Sequence, residues 1–462
     1  MLRSSLLFSG VALWVSLSSC DPDSLDPEVH PNILVIVADD MGTQAGLYGD
    51  NVAVTPHLDS LARHFAVFQN AYVTQASCSP SRASLHTGLY PHQHGMYGLQ
   101  HASTDFALSE QVHLLPEIMQ EAGYFTGWMG KVHVRPVERF TTDWITEQPT
   151  SLRNPITWGR EAGKFFKRAG NRSFFLTVNF YDPHVDEPSQ EFVGQIDGYP
   201  AQPLGPYDVN PWPFQGIDTY EQRQRIADYY NSITRFDRGV GEILKALEDE
   251  GLLETTAVFI LSDHGAPFLR GKTSCYEAGV QIPMLAYLPT ENFRQGRRQG
   301  FVSTVDLYPT LLELAGLGND GQSTTGRSLV PVLEGRSAQV RERLFTEFNY
   351  HRGNLYYPRR AVRQGDMKLI HNLIGTQQNP IRIIDYDRAF AVSQEAPYVD
   401  TEVGALFRQY LRPGEFELYN LAEDPYELHN LIDEPAYQTL RAELEAQLRT
   451  WQARTSDPWL ED

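Results

Sequence analysis

Seven residues, Asn32-Ile33-Leu34-Val35-Ile36-Val37-Ala38, constrain the chain more than any other stretch. The run is apolar without alternation and rich in β-branched side chains. A strand of that kind must be covered on both faces, as at the centre of a parallel sheet. It stops at Asp39-Asp40. In open α/β sheets, ligands gather just past the carboxyl ends of such strands.

Further stretches repeat the pattern of apolar strand and polar exit. Residues 124–128 lead to Gly130-Lys131-Val132-His133, residues 173–180 to Tyr181-Asp182-Pro183-His184, and residues 256–261 to Ser262-Asp263-His264-Gly265. Residues 66–74 read as another strand. Helices are expected from Thr55 (N-cap) with Pro56 at its first position, over 112–121 with Gly123 as its cap, over 220–249 as one long or two short pieces, and over 305–315. Strands alternating with helices predict an α/β fold, a large doubly wound, mostly parallel sheet. Beyond residue 343 the pattern changes to short strands at 344–348, 360–364, 367–371 and 416–420, with Gly365-Asp366 turning the middle pair. Leu440, Leu444, Leu448 and Trp451 then recur at helical spacing. This predicts a smaller C-terminal α+β domain of antiparallel strands and a helix. The expected division is 31–335 and 343–462, and 462 residues are too many for one core.

The formal net charge of -20 argues against nucleic acid and anionic membrane surfaces as partners. The N-terminus suggests export: Arg3 precedes an apolar stretch too short to span a bilayer, and Leu17-Ser18-Ser19-Cys20 closes it. Residues 1–19 read as a signal peptide. Leu-Ser-Ser-Cys resembles a bacterial lipobox, which implies lipidation at Cys20, a tether over 20–30, and a periplasmic or cell-envelope location with membrane contact through that lipid alone. The remaining cysteines, Cys78 and Cys275, make no disulfide framework, and Cys275 reads as a structural thiol.

Cys78-Ser79-Pro80-Ser81-Arg82 must open a helix, because Pro80 is tolerated only in a first turn. Its free N–H groups would favour an anion beside Cys78. The pattern Cys78-x-Pro-x-Arg82, continued by Ala83-Ser84-Leu85 and Thr87-Gly88, resembles the signature of the type I sulfatases of the alkaline phosphatase superfamily. Asp39-Asp40, Gly130-Lys131-x-His133, Asp182-Pro183-His184 and Asp263-His264-Gly265 stand in that family's order, and Glu417-Leu418-Tyr419-Asn420-Leu421 resembles its C-terminal domain. The resemblance implies that Cys78 is oxidised to formylglycine (3-oxoalanine) by a maturation enzyme. It implies one divalent cation, calcium or alternatively magnesium, held by Asp39, Asp40, Asp263, His264 and the converted Cys78. It further implies that the hydrated aldehyde attacks sulfur and the alcohol or amine departs. Arg82 and Lys131 would hold the nucleophile, His133 would be the base of the second step, and His184 with Lys272 would bind sulfate and protonate the leaving group. His92, His94 and His101 are expected to line the pocket.

Several stretches are similar to the heparan N-sulfatases (sulfamidases): His92-Gln93-His94-Gly95-Met96-Tyr97-Gly98-Leu99, Lys131-Val132-His133-Val134 with Pro136, and Tyr356-Tyr357-Pro358-Arg359 leading into Ala361-Val362-Arg363-Gln364. The substrate implied is a sulfated mono- or oligosaccharide of the N-sulfoglucosamine type. Arg135, His264 and Lys272 depart from that subgroup, which keeps O-sulfated polysaccharides open as substrates. A phosphonate or phosphate monoester hydrolase of the same fold, and a glycan-binding protein without activity, are the other readings.

Overall fold

The computed structural model describes residues 30–100, 106–146, 152–186, 189–318, 322–352, 355–379 and 389–460. The expected signal segment, the Cys20 anchor, the tether as far as residue 29, and His101 lie outside the described residues.

The apolar run forms strand β1, Asn32–Asp39, buried at every position. Its side chains divide by parity. Leu34, Ile36 and Ala38 enter one core, and Ile33, Val35 and Val37 enter another on the opposite face. In chain order the strands that join it are β2 Ala66–Tyr72, β3 Phe125–Gly130, β4 Trp144–Thr146, β5 Phe174–Pro183, β6 Thr256–Ser262, β7 Gln281–Tyr287 and β8 Gly296–Ser303. Their order across the sheet is β4-β3-β5-β1-β6-β7-β2-β8. The central strands β3, β5, β1 and β6 run parallel, and β7 is antiparallel to both its neighbours. The sheet is therefore mixed, with a parallel centre.

Helices Pro155–Ala169 and Tyr220–Asp249 cover one face with Trp158, Phe165, Ile233, Phe236 and Val240. The second of these is unbroken over its 30 residues. Helices Cys78–Thr87, Leu115–Glu121 and Leu307–Leu314 contribute Leu85, Met119 and Leu311 to the other face. Each such side chain stabilises the fold by roughly 1.5–3 kcal/mol when fully buried. Two local expectations shift. The helix expected from Val112 begins at Leu115, with Pro116 in its first turn. Thr55 precedes its helix without capping it, because its hydroxyl accepts from the Gly46 N–H and donates to Asp59.

The second sheet has the order β12-β11-β10-β9, all antiparallel, from β9 Arg343–Tyr350, β10 Tyr356–Gln364, β11 Met367–Asn372 and β12 Phe416–Asn420. Gly365, at φ 57°, makes the turn between β10 and β11. The terminal helix Gln438–Thr455 lays Leu444, Leu448 and Trp451 on one face, beside Tyr90 of the first sheet's side. The other face packs Tyr357 and Ala361 against Leu269, Cys275 and Tyr276. From Pro31 onward both sheets belong to one compact unit. Among the described residues no helix is long and apolar enough to cross a membrane.

Candidate active site

Register brings the polar exits together. Ala38 lies opposite Ser262, Asp39 opposite Pro183, and Gly130 opposite Asn179. The exits of β3, β5, β1 and β6 are thus side by side in space, though 232 residues separate Asp40 from Lys272. Cys78 enters from the far side at the head of its helix, where every residue of Cys78–Thr87 is buried.

The site is a lattice of buried carboxylates and cations. Asp40 lies at the centre. His264 Nε2 is 2.9 Å from its Oδ1, and Lys272 Nζ is 3.1 and 2.9 Å from its two oxygens. His184 Nε2 is 3.8 Å from Oδ2, and Cys78 Sγ is 3.9 Å from Oδ1. Cys78 Sγ is also 3.4 Å from His264 Nε2. Arg82 spans the neighbouring acids: Nε donates to Asp263 at 3.0 Å, Nη1 to Asn179 at 2.8 Å, and Nη2 lies 3.4 Å from Asp39 Oδ1. Lys131 Nζ donates to Asp39 Oδ2 at 2.6 Å. His133 is buried, in left-handed backbone at φ 55°, beyond Lys131.

Backbone geometry fixes the central acid. Asp40 has φ 72°, a conformation costly for a residue with a side chain. It is pinned from both ends, since its N–H donates to Asp263 Oδ1 at 2.9 Å and its carbonyl accepts from Tyr229 at 3.0 Å.

Tautomers follow from fixed acceptors. His264 Nδ1 donates to the Gly265 carbonyl at 3.0 Å, so Nε2 is the nitrogen that can bind a cation. His184 Nδ1 donates to the Val185 carbonyl at 2.8 Å, which leaves Nε2 facing the site. Charge balance sets the ionisation. Burial pushes the Asp39 carboxyl up, but Lys131, His184 and Arg82 together hold it well below the usual carboxylate range. At Asp40 burial is likewise outweighed, by Lys272, His184 and His264. Asp263 goes the other way: burial raises it, and Arg82 does not compensate. For His264, burial is outweighed by Asp263, Asp40 and Cys78, so the ring is held well above its usual range.

Asp40, Cys78, Asp263 and His264 each offer a ligand atom, all within 4.8 Å of one another. Asp39 stands beside this group, its Oδ2 on Lys131, while its buried Oδ1 accepts no hydrogen bond. Oxygen donors with one imidazole suit a hard divalent cation such as calcium or magnesium. A cation would also offset the raised Asp263 and complete the Asp39 oxygen that faces only Arg82 Nη2 at 3.4 Å, so the residues present fit one.

Sequence reasoning missed the supports. Asn179, within β5, receives Arg82. Tyr229, within Tyr220–Asp249, holds the Asp40 carbonyl. Asp182 is clasped by Arg235 at 2.9 Å through both oxygens and by Arg153 at 2.7 Å, and Arg153 also donates to the His184 and Val185 carbonyls at 3.0 Å. Arg135 is exposed and donates to the Gln100 carbonyl at 3.3 Å. His92 and His94 brace the fold rather than line the pocket: His92 bonds Glu347 of β9 through its backbone and Nδ1, and His94 Nε2 bonds Ser84 at 3.1 Å. Cys275 is fully buried, and burial pushes its thiol up to about 11, as suits an inert structural residue. The second sheet grips the segment leading to Cys78. The Glu347 N–H donates to the Thr74 carbonyl at 2.8 Å, and Ser77 Oγ lies 3.0 Å from His351 Nδ1.

Comparison with known proteins agrees with this geometry. The profile of the Sulfatase family matches residues 31–317. A profile described as N-sulphoglucosamine sulphohydrolase, C-terminal, matches residues 268–389. Human N-sulphoglucosamine sulphohydrolase is 35% identical over 466 residues, covering 93% of this chain and 91% of that protein. An ulvan-active sulfatase from Formosa agariphila is 26% identical over 515 residues, covering 98% of this chain and 82% of that one. Among solved structures, a 2-O GAG sulfatase aligns with a TM-score of 0.71 at 23% identity, over 93% of each chain.

Proposed function

The chain belongs to the type I sulfatase family, with an alkaline-phosphatase-like fold, and we propose that its substrate is an N-sulfated glucosamine of heparan or heparin type. The observation that carries this is the extent of the likeness to N-sulphoglucosamine sulphohydrolase, which runs through 93% of the chain and includes a separate match at 268–389. On this reading residues 31–335 hold the chemistry and 343–462 shape the pocket, with β9 bonded to the approach to Cys78.

Formylglycine at position 78 supplies a hydroxyl nucleophile once hydrated, and a divalent cation on Asp39, Asp40, Asp263 and His264 supplies Lewis-acid polarisation. The chain's own residues do the rest. Arg82 locks Asp39 and Asp263 in one orientation, and Lys131 balances Asp39 beside residue 78. Lys272 and His184 converge on Asp40, and in this reading they anchor the sulfate oxygens. His184 Nε2 is the nitrogen free to pass a proton to the leaving nitrogen, because Nδ1 is committed to Val185. His133 is the base that frees sulfate in the second step. The family reading calls for a maturation enzyme acting on Cys78, and the N-terminal segment with its lipobox-like Leu17-Ser18-Ser19-Cys20 supports export with Cys20 as a lipid anchor.

A sulfate-release screen across N- and O-sulfated glucosamines, galactosamines and uronates tests the substrate. Release from glucosamine N-sulfate is expected to exceed all others. Release confined to O-sulfated sugars overturns the assignment and favours the reading suggested by the ulvan-active relative.

A further inference from the structure

A second concavity, of about 1010 Å³, lies between the segment around 324–345 and the terminal helix Gln438–Thr455. Tyr90, Phe345 and Trp451 form its packed floor, with Phe345 and Trp451 stacked at 5.1 Å. Arg327, Arg341, Arg343 and Arg454 line it, and Glu342 is the one acid among the described lining residues. Arg341 is paired with Asp306. Arg327 donates to the Val340 carbonyl at 3.1 Å and Arg343 to the Gln364 amide oxygen at 3.0 Å, both neutral acceptors. Arg454 is exposed in the last helical turn. Three guanidinium groups against Glu342 leave a positive groove on a chain whose formal charge is -20.

Polar atoms inside the groove also lack partners. Arg341 Nε, Thr325 Oγ1 and Gln447 Oε1 are buried and make no hydrogen bond, and the Arg341 side chain is 10% exposed. Buried polar groups left unsatisfied are uncommon and call for a ligand or water. The groove is tied to the catalytic helix without belonging to the site. Thr324 donates to the Gly88 carbonyl, at the opposite end of Cys78–Thr87 from Cys78. A helix of ten residues is about 15 Å long, so the groove lies on that order of distance from the nucleophile.

We infer that this groove binds a sulfated stretch of a glycosaminoglycan chain, away from the catalytic centre, and so holds polymeric substrate near the site. The inference rests on the proposal that the enzyme acts on sulfated sugars. Arginine forks match sulfate and carboxylate oxygens, and the unpartnered amide and hydroxyl suit sugar hydroxyls.

The test combines Arg327→Glu, Arg343→Glu and Arg454→Glu in the full chain. Binding of a size-fractionated heparin oligosaccharide is measured in a Cys78→Ala background, where nothing is hydrolysed. The triple variant is expected to bind about tenfold more weakly or worse, a loss that shrinks as salt rises. With Cys78 intact, its kcat/KM on a sulfated glucosamine monosaccharide should stay that of the parent. Equal affinity in parent and variant overturns the inference, as does a parent that does not bind heparin. An equal fall in monosaccharide turnover also overturns it, because the arginines then act through the fold. Failure to release sulfate from any sugar refutes the substrate proposal instead, and it is read in a separate assay.

Discussion

Replacing Arg82 by Met tests how the site stores charge. The guanidinium is 2% exposed and touches Asp263, Asn179 and Asp39. Removing one partner of a buried ion pair typically costs 3–5 kcal/mol, because the other charge stays buried and unpaired. In chelator, the variant should lose about that much. With m of about 3 kcal/mol/M or more in urea, the midpoint should fall by roughly 1 M. A bound divalent cation neutralises the same carboxylates, and at 1,000 times its Kd it stabilises the folded state by about 4 kcal/mol. The deficit should therefore shrink in saturating calcium, and calcium should stabilise the variant more than the parent. Urea titrations of both proteins, with chelator and with calcium, measure the difference. An equal deficit in the two conditions would falsify the idea that Arg82 and the cation share Asp39 and Asp263.

Three further outcomes are expected. Cys78→Ala should abolish turnover and leave the circular dichroism spectrum unchanged, while mass spectrometry of active parent shows residue 78 as the aldehyde or its hydrate; full activity with an intact thiol refutes the nucleophile. His184→Gln should slow hydrolysis about 10²–10⁴-fold on substrates with poor leaving groups and much less on activated aryl sulfates; equal slowing on both classes removes its role as acid. His94 is held neutral, because burial pushes it down to about 3 and its Nδ1 accepts the Met96 N–H at 3.1 Å. Since its unfolded value is near 6.5, the unfolded chain binds the extra proton, and stability should fall by about 1.4 kcal/mol per pH unit as pH drops from 6.5 towards 3. His94→Asn should lower the slope of urea midpoints between pH 7 and 4.5 by that amount, leaving the part owed to His86, which burial also pushes down to about 3, and an unchanged slope refutes the assignment.

How far the sequence foretold this arrangement depended on the kind of signal. β1 was legible because burial on both faces demands an uninterrupted apolar run, and Asp39-Asp40, Lys131, His184 and Asp263-His264 were legible as strand exits. Strand β7 was not, because Pro283 interrupts its run. Strand β8 was not, because Gly296-Arg297-Arg298-Gln299 is polar on the sheet's edge and only its last residues are buried. The clasp of Asp182 by Arg153 and Arg235, and the Asn179 amide under Arg82, arise from contacts between distant elements. A single sequence gives such arginines and asparagines no mark that separates them from solvent-facing ones. His92 and His94 looked like pocket residues because they follow Cys78 closely, yet the fold turns them toward Glu347, 255 residues on, and Ser84.

The burial of the whole helix Cys78–Thr87 sets an order of events in the life of the chain. An enzyme that must grip the peptide around Cys78 finds no purchase on the folded protein, where Cys78 is 1% exposed. On the proposed reading of a separate maturation enzyme, the oxidation belongs to the time before folding. The clock that ends this interval is in the second sheet: β9 bonds Thr74, and His351 bonds Ser77, some 270 residues after the segment they hold. Until those late residues arrive, the approach to Cys78 lacks its cover. On the proposed reading, a molecule that folds with the thiol still in place is closed to the maturation enzyme.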